Sequence, residues 1–349
     1  MNEIFVGMLG VIFFALLAWG FKKLPGERWQ IIAAVPILKG EDGQWRGLNF
    51  TYYGLFTAVA YVVATAILLV LAGSAGVAPI QAFAVIVIGS ILCMPAARVV
   101  AMIVERKRHT FTVAGASFVG VITAPAIIWL VSSQTHEWVG SDIPVLPMMA
   151  AMATAYAFGE GLGRLACISF GCCYGRTVST LSPPMQKVFN NWNFEFLGNT
   201  KKISYASGLE GVKVVPVQAI TAVLYVITGL VSTWLYLNSY YLPSLTIAIV
   251  VTQLWRLVSE FLRADYRGSN RITAYQWMAV ISTIYATGFG AIASSSQMPV
   301  ANLLSGIAVV WAPLMLVFLQ VLFFVIFTYT GRSEVTETNM SIHVCQDRV

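Results

Sequence analysis

Several ionisable side chains fall inside long apolar stretches of this 349-residue sequence, where burying a charge is costly. Glu160 and Arg164 stand four residues apart, a spacing that places both on one face of a helix. Arg256 and Glu260 repeat the spacing in reverse order, and Arg98 lies near the end of an earlier stretch. A planar guanidinium group binds phosphate through paired hydrogen bonds. Three such arginines at one membrane depth therefore favour a phospholipid ligand.

A simpler explanation exists for each glutamate–arginine pair. Either pair could be a salt bridge that only neutralises its own charges inside the membrane. The sequence leaves this alternative open. The functional interpretation is preferred because we expect Arg98, Arg164 and Arg256 to be buried and to converge on one face, with Arg263 one turn further along.

The composition requires a membrane protein. Hydrophobic residues make up 58% of the chain and charged residues only 10%, against about 25% charged in soluble domains. Nine apolar stretches of roughly 18 to 25 residues are each long enough to cross a ~30 Å hydrocarbon core. Because a backbone in lipid must form its hydrogen bonds within its own segment, we predict an all-α polytopic bundle of about nine transmembrane helices. These stretches lie near 4–21, 53–72, 79–104, 113–132, 146–169, 214–236, 243–263, 273–294 and 303–329.

On this interpretation the chain divides into a membrane core and terminal extensions. Residues 1–47 form an extra N-terminal helix with its loop, and 48–295 form a seven-helix core. The polar segment 170–213 is predicted to be a small head insertion over one end of that core. An extra C-terminal helix, 296–330, precedes a polar tail, 331–349, that we predict to be flexible.

The basic residues predict an orientation for the bundle. The eighteen lysines and arginines outside the predicted spans all fall in loops of one face, and the loops of the other face hold none. Cytoplasmic loops carry the positive excess, so we expect the N-terminus outside and the basic loops and active site on the cytoplasmic side. The net charge of +6 then matches an anionic lipid surface, and no nucleic-acid partner is expected.

A segment rich in glycine and cysteine begins just before Arg164. Glycines allow a helix to end and a backbone to approach a ligand closely. Adjacent cysteines rarely bind one ion and no histidine is near, so we expect no metal site. Small buried thiols packed at a turn are preferred to a nucleophile or a disulfide. The segment reads Gly161-Leu-Gly-Arg164-Leu-Ala-Cys167-Ile-Ser-Phe-Gly171-Cys172-Cys173-Tyr174-Gly175-Arg176.

Five segments in this order resemble those of the prolipoprotein diacylglyceryl transferase family. The glycine- and cysteine-rich segment resembles the version of the family signature in which Cys-Cys replaces a glutamate. The resemblance covers roughly 48–290, seven of the nine predicted spans. The other matching segments are Tyr52-Tyr53-Gly54-Leu55, Ala97-Arg98, Pro216-Val217-Gln218, and Arg256-Leu-Val-Ser-Glu260-Phe-Leu-Arg263, the last followed by Thr273-Ala-Tyr-Gln276.

The resemblance implies a transferase of lipoprotein biosynthesis in the bacterial inner membrane. Such an enzyme moves the diacylglyceryl group of phosphatidylglycerol to a protein cysteine and releases glycerol phosphate, and it uses no cofactor. Carried over by position, the catalytic residues are Arg164 and Arg256, which hold the phosphate, and Glu260, which orients Arg256. The implied lipid-binding residues are Tyr53, Arg98, Glu160, Gly171, Tyr174, Gly175, Gln218 and Arg263.

Two features depart from the family pattern. Val119 stands where the family has its catalytic histidine, and valine cannot take a proton from a thiol. The family's active site opens to the outer face, whereas the charges predict the opposite here. The acceptor therefore stays open between a protein cysteine, a cytoplasmic small molecule and another lipid headgroup. A non-catalytic protein that binds or translocates anionic lipid is the alternative function.

Overall fold

The computed structural model describes residues 1–105, 112–264, 273–294 and 298–349. It is 72% helical, and seven of its helices are long and apolar enough to cross a membrane, which confirms the prediction of an all-α polytopic bundle. Those seven are α1, α2, α3, α4, α8, α9 and α12 in the numbering that follows. The helices are α1 (Asn2–Lys23), α2 (Tyr52–Ser74), α3 (Pro79–Glu105), α4 (Val113–Val139), α5 (Val145–Phe170), α6 (Pro183–Phe189), α7 (Lys202–Ser207), α8 (Val217–Leu237), α9 (Tyr241–Leu262), α10 (Ala274–Ala293), α11 (Leu303–Trp311) and α12 (Pro313–Gly331).

Helix α5 forms the centre of the bundle. It packs against α2, α8 and α9, and most of its residues are buried. Its 26 residues span about 39 Å at 1.5 Å each, enough to cross a bilayer. A helix enclosed by protein needs no apolar outer surface, so α5 can carry polar and charged side chains within the bundle. This central position is what allows α5 to carry Glu160 and Arg164.

The last predicted span is two helices. The stretch 303–329 breaks between α11 and α12, where Ala312 is extended and Pro313 begins the new helix. Both helices pack closely on α2 through glycines: a Cβ atom at Gly306 would lie 2.0 Å from the Val70 carbonyl oxygen, and one at Gly54 would lie 2.1 Å from the Cα of Gly331. Small residues allow such backbone contact between membrane helices.

A three-stranded antiparallel sheet joins the two ends of the chain. Its strands are β1 (Ile31–Lys39), β2 (Trp45–Thr51) and β3 (Arg332–Met340), in the order β1-β2-β3. Asn49 of β2 donates to Thr336 of β3 at 3.1 Å. The prediction of a flexible tail is therefore wrong for 332–340. The strand was not recognised in the sequence because β3 is polar and lacks apolar alternation. A strand at the sheet edge does not need that alternation.

Contacts between loops place the described basic segments on one face of the bundle. Lys201 of the head insertion donates to the Leu24 carbonyl at the end of α1, at 3.2 Å. Ala264, just beyond α9, donates to the Tyr174 carbonyl, also at 3.2 Å. The pairing of β2 with β3 adds the C-terminal tail to the same face. Because β2 precedes α2 and β3 follows α12, this pairing requires an even number of membrane crossings from α2 to α12. The nine predicted spans meet this requirement, since the first of them, α1, precedes β2.

The remaining turns meet at the opposite face. Asn2 donates to the Leu237 carbonyl at 2.9 Å, and Asn302 donates to the Ser74 carbonyl at 2.8 Å. The Ala301 amide donates to Ser239 Oγ at 3.0 Å and joins these two pairs, so the N-terminus and the turns after α2, α8 and α10 lie together. For the loops within the described ranges, the two faces thus match the two groups that the charge pattern separates.

Candidate functional site

A buried carboxylate, Glu160, lies at the centre of the site. One of its oxygens accepts a hydrogen bond from Arg164, one turn further along α5. The other accepts from the Tyr156 hydroxyl, one turn earlier, and from Arg256 Nη2 at 2.7 Å. The Glu160 side chain is only 4% exposed. A single carboxylate therefore neutralises part of the charge of two guanidinium groups from different helices.

Arg256 joins three helices through its guanidinium group. Besides Glu160, its Nη2 donates to the Tyr156 hydroxyl at 2.7 Å, and its Nη1 donates to Ser117 Oγ of α4 at 2.8 Å. Because Arg256 lies on α9, these bonds fix its position relative to α4 and α5. A group held this way is preorganised for a ligand.

Two buried donors of the site have no hydrogen-bond partner among the described residues. They are Arg164 Nε and Gln253 Nε2, the latter one turn before Arg256 on α9. A buried donor without a partner costs about 1–3 kcal/mol. An acceptor from an anionic ligand would remove that cost.

The structure corrects the expected arginine cluster. Arg164 and Arg256 meet at Glu160, but the Arg98 side chain is exposed on α3 and donates to the Tyr329 hydroxyl of α12. Little of α3 is covered by the rest of the bundle, so its polar group lies outside the core. The idea of three buried arginines is therefore wrong for Arg98.

Among the described residues, the ion pairs of the two arginines differ from the two i,i+4 salt bridges that the sequence would suggest. Arg164 pairs with Glu160 along α5, whereas Arg256 pairs with Glu160 across the helices. Glu260 is half-buried one turn beyond Arg256. The orienting role that the resemblance gives to Glu260 stays a prediction, and Glu160 is the carboxylate bonded to Arg256.

The segment after α5 makes a tight turn. Gly171 ends the helix with φ of +71°, and the Cys172 amide donates back to the Cys167 carbonyl at 3.0 Å. Cys173 also has a positive φ, +58°, in a region that residues with a Cβ rarely adopt. The turn brings the sulfur atoms of these three cysteines within 4.8 Å of one another.

Neighbouring segments hold this turn in place. Gln218 of α8 donates to the Cys172 carbonyl at 2.8 Å, and the Tyr174 hydroxyl is bonded to Ser207. Gly175 is required by close packing, because a Cβ atom there would lie 2.4 Å from the Val215 carbonyl oxygen. Four of the residues expected to bind lipid, Gly171, Tyr174, Gly175 and Gln218, thus shape or support the turn.

The family model for prolipoprotein diacylglyceryl transferase matches residues 44–292, well over half of the sequence. The chain belongs to this family. No curated protein matches it. Membership supports the conclusion that the chain is a multi-pass membrane protein and a transferase of lipoprotein biosynthesis that acts on lipid. The matched range includes the turn after α5, called the signature turn below, and both arginines bonded to Glu160.

Two further residues named by the resemblance lie beside the signature turn of this family member. The Tyr53 ring packs on Phe170 at a centroid distance of 5.6 Å and is close enough to the three thiols to interact with them electrostatically. Arg263 forms a backbone bridge with Gly175, and its charge acts on Cys173. The turn therefore lies between the start of α2 and the end of α9.

Sequence reasoning missed two residues that contact the buried arginines. Tyr156 could have been found, because it precedes Glu160 by four residues and shares its helix face. Ser117 reaches Arg256 only through the packing of α4 against the rest of the bundle. Its local sequence gives no signal for that contact.

Val119, which the resemblance places at the position of the family's histidine, lies on α4. It lies two residues after Ser117, so this part of the helix does reach the site. Among the described histidines, His136 lies near the far end of α4, where it is bonded to Asp142 at 2.9 Å. His109 falls outside the described residues. The missing imidazole is therefore not supplied by His136.

Proposed function

We propose that this family member transfers the diacylglyceryl group of phosphatidylglycerol to a thiol acceptor. The observation that carries the proposal is the sharing of one carboxylate, Glu160, by Arg164 and Arg256. Two positive charges against one negative charge leave the cluster with a net charge of about +1, which suits the single negative charge of a phosphodiester. Arg164 Nε and Gln253 Nε2, which are buried and have no hydrogen-bond partner in the described part of the chain, are further donors on α5 and α9.

The proposed reaction is a displacement at carbon. The acceptor thiol releases its proton to water, and its sulfur attacks the glyceryl carbon that bears the phosphate oxygen. The C–O bond breaks, and its electron pair stays on that oxygen. Glycerol phosphate leaves with the added negative charge. Preorganised guanidinium groups stabilise charge as it develops on the departing oxygen. Arg164 and Arg256 are proposed for this role, and Glu160 would keep Arg256 in position.

A second candidate function is supported by Val119. A chain without the family's base would bind or translocate anionic lipid through the same arginines without cleaving it. Cleavage of the lipid separates the two candidates, because binding and translocation leave the headgroup bonded to the diacylglyceryl group.

The decisive experiment uses purified protein in vesicles of phosphatidylglycerol labelled in its terminal glycerol. With a thiol acceptor present, wild type should release labelled glycerol phosphate. Arg164→Ala and Arg256→Ala should each lower the rate by about 100- to 1,000-fold, the usual loss when one stabilising donor is removed. Arg46→Ala, an exposed arginine in β2, is the matched control and should keep the full rate. Binding by wild type without release would favour the second candidate, and full rates in both site variants would refute the phosphate role.

Orientation is a separate part of the proposal. We propose that the basic face is cytoplasmic, as its lysines and arginines predict. A single cysteine at exposed Lys202, in a chain whose five native cysteines are serine, should react with an impermeant thiol reagent only after lysis. A cysteine at exposed Glu137 should react in intact cells. The reverse result would place the site outside and direct the search to exported lipoproteins.

A further inference from the structure

We propose that Cys167, Cys172 and Cys173 form a three-sulfur binding site for a thiophilic metal ion, with Zn²⁺ the best match. The inference concerns a cluster that neither the family match nor the arginine site explains. Cysteine thiolates are preferred ligands of zinc, and three protein ligands are the usual number where zinc keeps a position open.

The local backbone brings the three sulfurs together. The left-handed Gly171 folds the chain back, so that the Cys172 amide bonds the Cys167 carbonyl. Sulfurs that share a tetrahedral zinc ion at Zn–S distances of about 2.3 Å lie about 3.8 Å apart. The three sulfurs here lie within 4.8 Å of one another. A closure of about 1 Å or less in each sulfur–sulfur distance would thus complete the site, a movement that χ1 rotation of a cysteine can supply.

The unusual conformation of Cys173 answers the objection that adjacent cysteines rarely bind one ion. In an extended chain, successive side chains point to opposite sides. Cys173 is not extended, since its φ is +58°, and its sulfur lies within 4.8 Å of the Cys172 sulfur. Backbone held in such a rare conformation is concentrated at functional sites.

The charges around the cluster suit a metal–thiolate group. Three thiolates around a divalent ion carry a net charge of −1. The guanidinium groups of Arg164 and Arg263 are both close enough to Cys173 to act on it electrostatically. Positive neighbours favour the thiolate, the form that binds metal. The same arginines would therefore offset the charge of the loaded site.

The supporting shell is also in place. Gln218 fixes the Cys172 carbonyl at 2.8 Å, and the backbone bridge between Gly175 and Arg263 holds the following residues. Such outer contacts orient metal ligands. All three cysteines are only partly buried, which leaves a route for an ion to enter.

The site would solve the problem of the missing base, an argument that rests on the proposed transferase function. A fourth zinc position is open to an acceptor thiol, and a thiol bound to zinc loses its proton to water. The resulting thiolate keeps the electron pair that forms the new C–S bond, while the C–O bond to phosphate breaks as described above. No histidine is needed in this scheme, in agreement with Val119.

Metal content tests the site without reference to turnover. Full-length protein, purified in detergent, stripped with a chelator and incubated with Zn²⁺, should retain about one ion per chain by elemental mass spectrometry. Changing Cys167, Cys172 or Cys173 to serine should weaken retention more than about tenfold. The matched controls Cys93→Ser and Cys345→Ser should bind as wild type. No retention by wild type, or equal retention by the cluster variants, overturns the proposal.

A measurement on wild type alone avoids variants that fail to fold. Zn²⁺ should protect three of the five cysteines from an alkylating reagent, and peptide mapping should identify them as the cluster. Unchanged alkylation, or a disulfide within the cluster of protein purified without reductant, contradicts the site.

Glycerol phosphate release, measured before and after the metal is stripped, distinguishes the zinc proposal from the transferase proposal. Release that needs added Zn²⁺ supports both, and release without metal refutes the zinc role while the transferase stands. Metal binding without any release refutes the transferase alone.

Discussion

Replacing Glu160 by glutamine removes the one negative charge that Arg164 and Arg256 are shown to share. The amide has nearly the same size as the carboxylate, so the packing of α5 is kept. Two buried guanidinium groups would then face a neutral partner. The change therefore isolates the electrostatic contribution of Glu160 from its volume.

The expected loss of stability is large. Removing one partner of a buried ion pair costs about 3–5 kcal/mol, because the remaining charge stays buried without compensation. A loss of this size lowers a thermal midpoint by several degrees, because the shift per kcal/mol falls with chain length and is about 2–4 °C for chains of 150–250 residues. Glu260→Gln, at a half-buried position on the same arginine's helix, is the comparison and should cost less.

The assay is thermal unfolding of purified protein in detergent, with and without added phosphatidylglycerol. The anionic lipid should raise the midpoint of Glu160→Gln more than that of wild type, because its phosphate replaces the lost charge. A midpoint unchanged by Glu160→Gln, or a larger loss from Glu260→Gln, would refute the assignment of Glu160 as the shared carboxylate.

Three further predictions concern single contacts. Tyr156→Phe removes a hydroxyl bonded to both Glu160 and Arg256 and should cost about 1.5–3 kcal/mol, measured as a lower thermal midpoint. Gly306→Ala places a Cβ atom 2.0 Å from a carbonyl oxygen of α2 and should lower the midpoint, whereas Gly288→Ala, with nothing within 4 Å, should not. Burial lowers the pKa of Lys201 from 10.5 to about 8, so the unfolded chain binds more protons between these pH values and the free energy of unfolding should rise from pH 8 to 10.5. Lys201→Met should abolish that rise.

Each of these predictions has a clear contrary result. An unchanged midpoint for the tyrosine variant would mean that its hydroxyl adds nothing to the buried network. Equal midpoints for the two glycine variants would argue against the close contact of α11 with α2. A pH profile that stays the same in Lys201→Met would assign the titration to another group.

The sequence predicted the bundle because its signal is local. Uninterrupted apolar stretches specify membrane helices one at a time, without knowledge of their neighbours. The pairing of β2 with β3 was not predicted, since these strands are separated by most of the chain. The break at Pro313 could have been read from the sequence, because proline favours the first position of a helix.

The site was predicted only where its signal in the sequence is also local. Spacing alone placed Glu160 and Arg164 together, and the structure bears this out. Spacing also paired Arg256 with Glu260, but the packing of α9 against α5 gives Arg256 a different carboxylate. The positions of Arg98 and Ser117 likewise depend on which side of each helix faces the bundle, and an apolar stretch with little periodicity leaves that side undetermined.

The central claim is that Arg164 and Arg256 hold the phosphate while a thiol takes the diacylglyceryl group. The most direct measurement is the mass of a cysteine-containing acceptor peptide after incubation with the protein in phosphatidylglycerol vesicles. We predict a peptide that gains one diacylglyceryl group through its cysteine with wild type and stays unmodified with Arg164→Ala or Arg256→Ala. A peptide left unmodified by wild type, or modified equally by both variants, would contradict the claim.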